Sequence, residues 1–394
     1  MENEIQIVLA STLEELRAHA DLWDELAFQS PQALPMLTAT WVIAFLNHCI
    51  TPLDRWLCLL AYLGGGRLVG VLPLIISPHR RFGLTHPVLR TPWDWHTRSG
   101  DVPLEIGAEH KLFARFLDEL TTLSINWFSL EMRGVKEGSP TLSLIRNKMQ
   151  GYVSLQCPDS FGSFLSITGS FENYRGNLSK NFKNNLNKAG RRLCQLAQPR
   201  YVFLRGDSAN LNELQCFLEI EASGWKGRNG TAILQSEGLT SFYREISTRF
   251  LRRGCLELDF LEADGKRIAG HLRVRMGRSV ILLKIAYDEE YERYSPGNLL
   301  FEKAIQQTFE SNEIDEINCL TDTLWHRNWK MSKRCYDILK IFPKTPYSSL
   351  MGMLPEAAKL FLRRVPVLTK SQEVLRRLSR DSGEDTSRQY EKAF

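Results

Sequence analysis

The stretch KIAYDEEYERYSPGNLLFEKAIQQTF, residues 284–309, decides the fold of the C-terminal half. A β-forming run ends at Tyr287, a charged and aromatic loop follows, and Ser295-Pro296-Gly297 leads into a helix predicted from about Gly297 to Glu310. Small residues at a helix start let a ligand approach the backbone, where free N–H groups and the helix dipole attract an anion. A plain helix start without a ligand fits the same residues, because a glycine between strand and helix is common.

The segments on either side of this stretch alternate between strand and helix patterns, as in an α/β domain. Before it come strand 201–205, helix 209–223, a Gly-rich loop, helix 240–252 and strands 255–262, 267–276 and 279–287; after it come strands 314–319 and 336–341. The N-terminal half has a similar order. Residues 65–72 align with residues 265–272 at an offset of 200 residues, and both are hairpin tips entering a strand. Two related halves are therefore predicted, although Gly-rich turns also recur for steric reasons.

Between the halves lies a basic helical segment. We predict an N-terminal domain over 1–165, a basic connector over 166–200, a C-terminal domain over 201–350 and a helical or disordered tail over 351–394. The helical periodicity of the connector predicts an apolar face and a basic face. The apolar face consists of Phe182, Leu186, Ala189, Leu193 and Leu196, and the basic face of Lys180, Lys183, Lys188, Arg191 and Arg192. The basic face has two interpretations: it is exposed to solvent without a partner, or it contacts RNA, lipid headgroups or an anionic polymer. No array of base-stacking aromatics accompanies it, so no specific nucleic-acid partner is expected.

Composition limits the class of protein. Of the 394 residues, 43% are hydrophobic and 24% charged, and the longest apolar stretch is interrupted by Gly64-Gly65-Gly66, which suits a hairpin. We expect no signal peptide and a cytoplasmic protein, because the eight cysteines are scattered singly, as for buried thiols in a reducing compartment. A net charge of +5 weakly favours an anionic ligand or peripheral membrane association. Walker A, zinc-type and GxSxG patterns are missing from the sequence, so no metal site is predicted.

Five blocks in the C-terminal half resemble one acetyltransferase branch. They are Glu221–Gly227, Gly230–Ile233, Asp264–Gly270, Lys284–Asp288 and Tyr294–Leu300, in that order. The chain resembles the GNAT branch associated with cellulose and exopolysaccharide biosynthesis, the CelD-like proteins, whose cousins are the Fem-type aminoacyltransferases. The likeness covers about residues 170–342 and extends weakly to the N-terminus.

The resemblance implies an α/β fold with a mixed sheet, repeated as tandem GNAT-like acyl-CoA N-acyltransferase folds. It implies acetyl-CoA or another acyl-CoA as co-substrate, with the pantetheine along the strand that carries Lys284 and Ile285. The pyrophosphate would lie at the turn of Ser295, and the backbone N–H groups of the three residues Gly297, Asn298 and Leu299 would bind it. The reaction would be direct attack of a neutral amine on the thioester.

Four residues are candidates for the catalytic roles that the resemblance implies. Asp288 ends the cofactor strand and suits the base, or else caps the loop. Glu221 is an alternative base, although an exposed helix carboxylate is the competing interpretation. Tyr287 suits protonation of the leaving thiolate, as does Tyr294, unless either simply packs. Asp322 follows the strand that ends near Cys319, where this architecture faces the acceptor.

The candidates for substrate binding are spread over both halves. Trp225 and Lys226 lie in the loop GWKGRNG, which suits a lid, or else Trp225 anchors the loop and Lys226 is solvated. Trp95 and His96 belong to the N-terminal run PWDWH, whose aromatic and polar groups suit a sugar face or an aromatic amine, or else pack on the hairpin. His326 joins Asp322 beyond Cys319.

The function that these patterns favour is acyl-CoA-dependent N-acyltransfer to an amino group of a sugar, polysaccharide precursor or other small molecule. A Fem-like transferase that uses aminoacyl-tRNA is the enzymatic alternative, and a non-catalytic subunit of a polysaccharide-biosynthesis complex is the alternative of another class. The oligomeric state is not predicted.

Overall fold

The computed structural model describes residues 4–64, 66–81, 83–123, 125–146 and 149–364. Its strands are β1 (Gln6–Ala10), β2 (Arg55–Leu63), β3 (Arg67–Arg81), β4 (Leu84–Arg90), β5 (Leu130–Lys136), β6 (Tyr152–Ser166), β7 (Pro199–Leu204), β8 (Leu256–Ala263), β9 (Lys266–Met276), β10 (Ser279–Tyr287), β11 (Glu316–Asn318) and β12 (Ser332–Pro343). Its α-helices are α1 (Leu13–Ala18), α2 (Ala20–Gln29), α3 (Ala39–His48), α4 (Glu109–Thr122), α5 (Ser143–Arg146), α6 (Phe171–Asn177), α7 (Lys180–Leu196), α8 (Leu211–Ser223), α9 (Trp225–Arg228), α10 (Glu237–Arg252), α11 (Pro296–Ser311), α12 (Pro346–Ser348) and α13 (Leu354–Arg364). The predicted tail falls largely on residues 365–394, outside the described residues.

The described residues divide into two compact units. The first contains residues 4–46, 50–160 and 335–364, and the second contains residues 47–49 and 161–334. The domain boundaries drawn from the sequence stay predictions.

In the first unit the strands follow the order β1-β2-β3-β4-β5, and residues 336–341 of β12 pair with β5. All neighbours are antiparallel except β4 and β5, which are parallel. Apolar residues of β2, β3 and β5 form one buried cluster with α4, including Phe113 and Phe116.

The second unit repeats that arrangement. Its strands follow the order β7-β8-β9-β10-β11, and residues 164–166 of β6 pair with β11. Again only one pair is parallel, namely β10 with β11. The hairpins at Gly66 and Gly265, aligned in the sequence, join the second and third strands of their respective sheets. The prediction of tandem related folds is thus confirmed.

Helices cover both faces of the second sheet. α7 and α11 pack on one face, where buried residues of α7 join Leu261, Ala269 and Leu299. Because side chains alternate along a strand, Gly270 faces the other way and lies against Phe217 of α8. The predicted connector therefore helps to build the core of the second unit; only Leu196 of its apolar face is exposed.

The first helix begins with a capping box formed by Thr12 and Glu15, and His19 separates α1 from α2. One local prediction needs correction. The strand predicted over 336–341 at the end of the C-terminal domain pairs with β5 of the first unit instead.

Candidate active site at the ends of strands β10 and β11

The site begins where the parallel strands β10 and β11 stop pairing. Their register joins Ser279–Ile281 to Glu316–Asn318, after which β11 ends while β10 continues to Tyr287. Beyond Ile281, no described residue of β11 pairs with β10. A ligand chain with amide groups can therefore hydrogen-bond to this free strand edge, at the carboxyl end of the strands where α/β proteins bind ligands.

A β-bulge distorts β10 in the same region, between Leu282 and Lys284. The bulge leaves Leu283 out of the pairing with β9, and bulges re-aim the groups next to functional sites. The side chain of Lys284 turns toward α10, with Nζ 5.9 Å from the ring centre of Tyr243. Ile285, on the opposite face, packs beside the cluster that contains α11. The predicted cofactor strand is thus present, with these two side chains pointing to opposite faces.

The first turn of α11 provides fewer N–H groups than predicted. Ser295 precedes the helix in the left-handed region, with φ of +49°, and its carbonyl accepts a hydrogen bond from Leu299 N–H at 3.1 Å. Pro296 has no N–H. Within the described chain, no backbone carbonyl accepts from Gly297 or Asn298 N–H, so these two are the groups available to an anion. Leu299 N–H is already used.

Asp288 acts as a cap. Its carboxylate accepts a hydrogen bond from Glu290 N–H at 3.0 Å and pairs with Lys266 Nζ at 2.8 Å. These contacts begin the 3₁₀ helix Glu289–Tyr294, which carries the chain from β10 to α11. The structure thus gives Asp288 the capping role named as the alternative to catalysis.

Glu221 is buried, so the expectation of an exposed helix carboxylate was wrong. One carboxylate oxygen lies 3.0 Å from Lys226 Nζ, and the other accepts a hydrogen bond from Ile233 N–H at 3.0 Å. Lys226 is largely buried by this pair and is not the solvated lysine of the alternative interpretation. The carboxylate therefore fixes both ends of the loop 225–233.

A second carboxylate, Glu289, ties the same loop to the end of β10. It accepts a hydrogen bond from Trp225 N–H at 2.7 Å and forms an ion pair with Arg228. Gly227 is required by close packing, because a Cβ there would lie 1.8 Å from the carbonyl oxygen of Ala222. Trp225 and Lys226 are thus held beside the segment that leads to α11.

Asp322 and His326 lie close together after β11. The Asp322 carboxylate accepts a hydrogen bond from Ser163 Oγ at 2.9 Å and pairs with Lys333. Burial opposes its ionisation, but the hydrogen bonds from Lys333 and Ser163 outweigh burial and lower the pKa of Asp322. Asp322 is therefore ionised at neutral pH.

The imidazole of His326 is buried and neutral. Burial lowers its pKa to about 4, against the attraction of Asp322. Its Nδ1 accepts hydrogen bonds from the N–H of Thr323 at 3.1 Å and from that residue's hydroxyl at 3.2 Å, so the ring proton resides on Nε2. His326 is accordingly a hydrogen-bond donor through Nε2.

Tyr287 and Tyr294 lie in the apolar cluster beneath the turn. Burial, followed by the nearby carboxylates Glu292 and Glu289, raises the pKa of Tyr287 well above its usual range. The phenol therefore keeps its proton at neutral pH, as a proton donor must.

Trp95 and His96 belong to the first unit. Asp94 accepts hydrogen bonds from His96 N–H at 2.8 Å and Thr97 N–H at 2.6 Å, which fixes the turn. Trp95 is 65% exposed, with the Arg98 guanidinium 4.9 Å from its ring centre. Trp95 is therefore exposed and not packed against the hairpin, which was the alternative interpretation of this residue.

Three residues of the site were missed in the sequence: Glu289, Ser163 and Lys333. Glu289 was one acid in the run DEE, and Ser163 and Lys333 are far from Asp322 in the chain, so no local spacing marked them. Among the described residues, no cluster of three or more His, Cys, Asp or Glu is placed to bind a metal.

Residues 180–331 match the family described as "Acetyltransferase (GNAT) domain". This segment has the fold of a GNAT acetyltransferase domain. The match includes β10, α11, β11 and the residues around Asp322, so the diverging strands lie inside the GNAT domain. No curated protein matches the chain.

Solved structures extend the likeness to both units. FemX covers 88% of this chain over 99% of its own length, with a TM-score of 0.56 and 11% identity. The C-terminal domain of a proposed lysylphosphatidylglycerol synthetase from Agrobacterium fabrum covers 87% over 95% of its length, with a TM-score of 0.52 and 10% identity. At these identities the likeness concerns the fold alone.

In the described residues, no helix is both long enough and apolar enough to cross a bilayer. The eight cysteines form no disulfide; Cys58, Cys157 and Cys319 are buried, whereas Cys194 is exposed.

Proposed function

We propose that the GNAT domain transfers an acyl group from an acyl-CoA, with acetyl-CoA the first candidate, to a primary amine. The observation that carries the proposal is the loss of pairing between β10 and β11 beyond Ile281, followed along the chain by the first turn of α11, inside the segment that matches the GNAT family. A free strand edge followed by unpaired helix N–H groups suits an amide-containing arm that ends in a pyrophosphate.

The donor would lie along β10 and end at α11. Its pantetheine amides would pair with the backbone beyond Ile281, where Lys284 and Ile285 lie, and its pyrophosphate would accept hydrogen bonds from Gly297 and Asn298 N–H. The thioester would then lie near the end of β11, close to Asp322.

We assign the proton-accepting role to Asp322. Glu221 and Asp288 are each held by a backbone N–H and a lysine in local structure. Asp322 is also paired with a lysine, but it follows β11 at the end of the sheet where β10 has lost its strand partner. The ionised Asp322 carboxylate would bind the ammonium form of the acceptor and take up its proton through water before the neutral amine attacks. Its lowered pKa makes it a weaker base than a carboxylate with a pKa near 7, so the assignment rests on its position. Lys333 and Ser163 keep it ionised and oriented.

The neutral His326 would serve as a donor. Its Nε2–H suits the oxyanion that forms on the thioester carbonyl, a role in which a pre-oriented donor contributes strongly to rate. Tyr287, whose phenol keeps its proton at neutral pH, would donate that proton to the leaving thiolate.

For the acceptor we propose an amino group on a sugar, a polysaccharide precursor or a similar small molecule. The loop of Trp225 and Lys226, fixed by Glu221 and Glu289, would border it. Trp95 offers an exposed aromatic face of the kind that stacks on sugar rings, and His96 lies beside it. The link to exopolysaccharide synthesis and the cytoplasmic location stay predictions, as does peripheral membrane association.

One observation favours a second candidate, an aminoacyl-tRNA donor as in Fem-type enzymes. The solvent-facing side of α7 carries basic residues without acidic neighbours, and such a face attracts a phosphate backbone. The exposed basic residues are Lys180, Lys188, Arg191 and Arg192, whereas Lys183 is half-buried and its Nζ donates to the carbonyl oxygen of Gly176 at 2.7 Å.

Calorimetric titration with acetyl-CoA, longer acyl-CoAs and free CoA tests the donor. Micromolar affinity, about −8 kcal/mol, is expected for one of these thioesters. Gly297→Val should weaken it at least tenfold, because a branched side chain would cover the anion site. Gly176→Val is the matched control, since a Cβ at Gly176 of α6 meets no atom within 4 Å. No affinity for any thioester, together with binding of aminoacyl-tRNA, would favour the second candidate.

The assignment of the base is tested by a pair of matched variants. We expect Asp322→Asn to lower kcat by about 10²–10⁴-fold, the usual contribution of general base catalysis, and Asp288→Asn to leave kcat within a few fold. The reverse ranking, with both variants folded, would move the role to Asp288.

A further inference from the structure

The first unit has its own parallel pair, β4 and β5. They correspond in order and direction to β10 and β11, and their register joins only Leu89 to Leu130 and Arg90 to Glu131. β4 ends at Arg90 while β5 continues to Lys136, so here the edge of β5 loses its strand partner, whereas in the second unit the edge of β10 does. Each sheet therefore has a gap between its fourth and fifth strands.

In the first unit this gap is filled by the chain itself. We name residues 98–101 the strap. Gly100 N–H donates to the carbonyl oxygen of Arg133 in β5 at 2.7 Å, while the Gly100 carbonyl accepts from the Thr91 hydroxyl, directly after β4, at 2.5 Å. Ser99 Oγ donates to the carbonyl of Gly134 at 2.8 Å. The strap thus hydrogen-bonds to β5 and to Thr91, the residue that follows β4, along the edge of β5 where a strand or an amide-containing ligand would otherwise pair.

Packing leaves no space around the strap. A Cβ on Gly134 would lie 2.2 Å from the carbonyl oxygen of Arg98, and one on Gly100 would lie 2.4 Å from Thr91 Oγ1. Gly134 also has φ of +71°, a conformation that favours glycine. Backbone therefore touches backbone across the gap.

The end of the strap is anchored by a buried carboxyl group. Asp101 accepts hydrogen bonds from the Thr141 hydroxyl at 2.6 Å and from Val102 N–H at 2.8 Å, and it is only 4% exposed. Beyond it, Glu105 N–H donates to Val69 of β3 at 2.7 Å, so the following residues are fixed to the sheet as well. Removing the strap would break this whole set of bonds at once.

We infer that the strap closes the donor cleft of the first unit as a permanent part of its sheet, so that each chain holds one acyl-CoA, in the GNAT domain. The inference deepens the proposed function and rests on it for the identity of the donor. It leaves the first unit free for a role other than donor binding, with Trp95 displayed directly before the strap.

Equilibrium dialysis with a radiolabelled acyl-CoA tests the number of sites. One acyl-CoA per chain is expected for the wild type, and none for Gly297→Val at the same concentrations. Two per chain, or one per chain remaining in Gly297→Val, would overturn the inference while supporting acyl-CoA as donor. No binding in either protein would count against the proposed function instead.

Amide hydrogen exchange tests the strap without any ligand. The Gly100 amide should be protected like the β5 amide of Met132, slower by on the order of 10³-fold than that of the exposed Gly138, whose N–H has no acceptor in the described residues. Exchange of Gly100 as fast as that of Gly138 would show an open, mobile loop and overturn the inference whatever the donor is.

Discussion

Replacing Glu221 tests whether its carboxylate has a structural or a catalytic role. Glu221 is 5% exposed, and its two oxygens bind Lys226 Nζ and Ile233 N–H, each at 3.0 Å. Glu221→Ala removes both contacts, leaving an ammonium group and a backbone N–H beneath the loop 225–233. We expect this loop to loosen and the second unit to lose stability.

The magnitude follows from these two contacts. Breaking a buried ion pair by removing one partner costs about 3–5 kcal/mol. A buried N–H without an acceptor costs about 1–3 kcal/mol. Both costs are reduced here, because the Lys226 side chain keeps 12% exposure and can turn toward water. We expect Glu221→Ala to lower the free energy of unfolding by about 3 kcal/mol. Glu221→Gln keeps an acceptor for Ile233, so about 1–2 kcal/mol is expected.

Urea unfolding followed by circular dichroism measures these losses, with acyltransfer kinetics on the same preparations. Lys226→Met and the double variant Glu221→Gln/Lys226→Met complete a cycle, which should show at least about 1 kcal/mol of coupling because the two side chains touch. A structural role predicts kcat within a few fold of wild type in Glu221→Gln. Unchanged stability in Glu221→Ala, with kcat more than 100-fold lower in Glu221→Gln, would refute the reasoning and make Glu221 the base.

Three further predictions follow from single contacts. Gly227→Ala should cost more than about 2 kcal/mol in urea unfolding, because its Cβ would overlap the Ala222 carbonyl, whereas Gly230→Ala, with open space but positive φ, should cost about 1 kcal/mol. His326 has a folded pKa of about 4 against 6.5 unfolded, so its stabilisation is complete above pH 6.5 and lost as pH falls toward 4. The free energy of unfolding should fall by about 3 kcal/mol over this pH range. In His326→Gln, urea unfolding at several pH values should show a flatter dependence of stability on pH over the same range. A pH dependence equal to that of the wild type would contradict the burial of the ring. Glu289→Ala should speed proteolysis within α9 severalfold, and an unchanged cleavage rate would show that its two bonds do not fix the loop.

The order of strands and helices in the second unit could be predicted from the sequence because it depends on patterns within a few neighbouring residues. Alternation of apolar residues marked β8, β9 and β10, and the run Ser295-Pro296-Gly297 marked the start of α11 within a residue. The aligned hairpins indicated the duplication, since a turn and the strand it enters are encoded within a few residues. Neither inference required knowledge of what packs against these elements.

The site depended on contacts between distant residues, which local patterns do not encode. Glu221 sits near the end of a helix, where exposure was the natural expectation, and only the return of the chain at Ile233 buries it. The partners of Asp322 come from residues 163 and 333, on either side of the GNAT core in sequence. Leu299 N–H was assigned to the anion because the helix was predicted to begin at Gly297. It begins at Pro296, so Leu299 is the first residue whose N–H bonds within the helix, to the carbonyl oxygen of Ser295.

Comparison of the two units shows where a duplicated fold can change its function. In both sheets the fourth and fifth strands pair over only two or three residues, and the segment after the fourth strand differs between the units. From β10 the chain enters α11 through the short 3₁₀ helix at Glu289–Tyr294, and within the described residues no strand pairs with the edge of β10 beyond Ile281. From β4 the chain runs from residue 91 to residue 108 before α4 begins, which is long enough to turn back and bond between the strands. An opened sheet has unpaired backbone groups that must find partners. Under the proposed function, the short connection of the second unit leaves these groups to the donor, whereas the long connection of the first unit satisfies them with its own peptide groups.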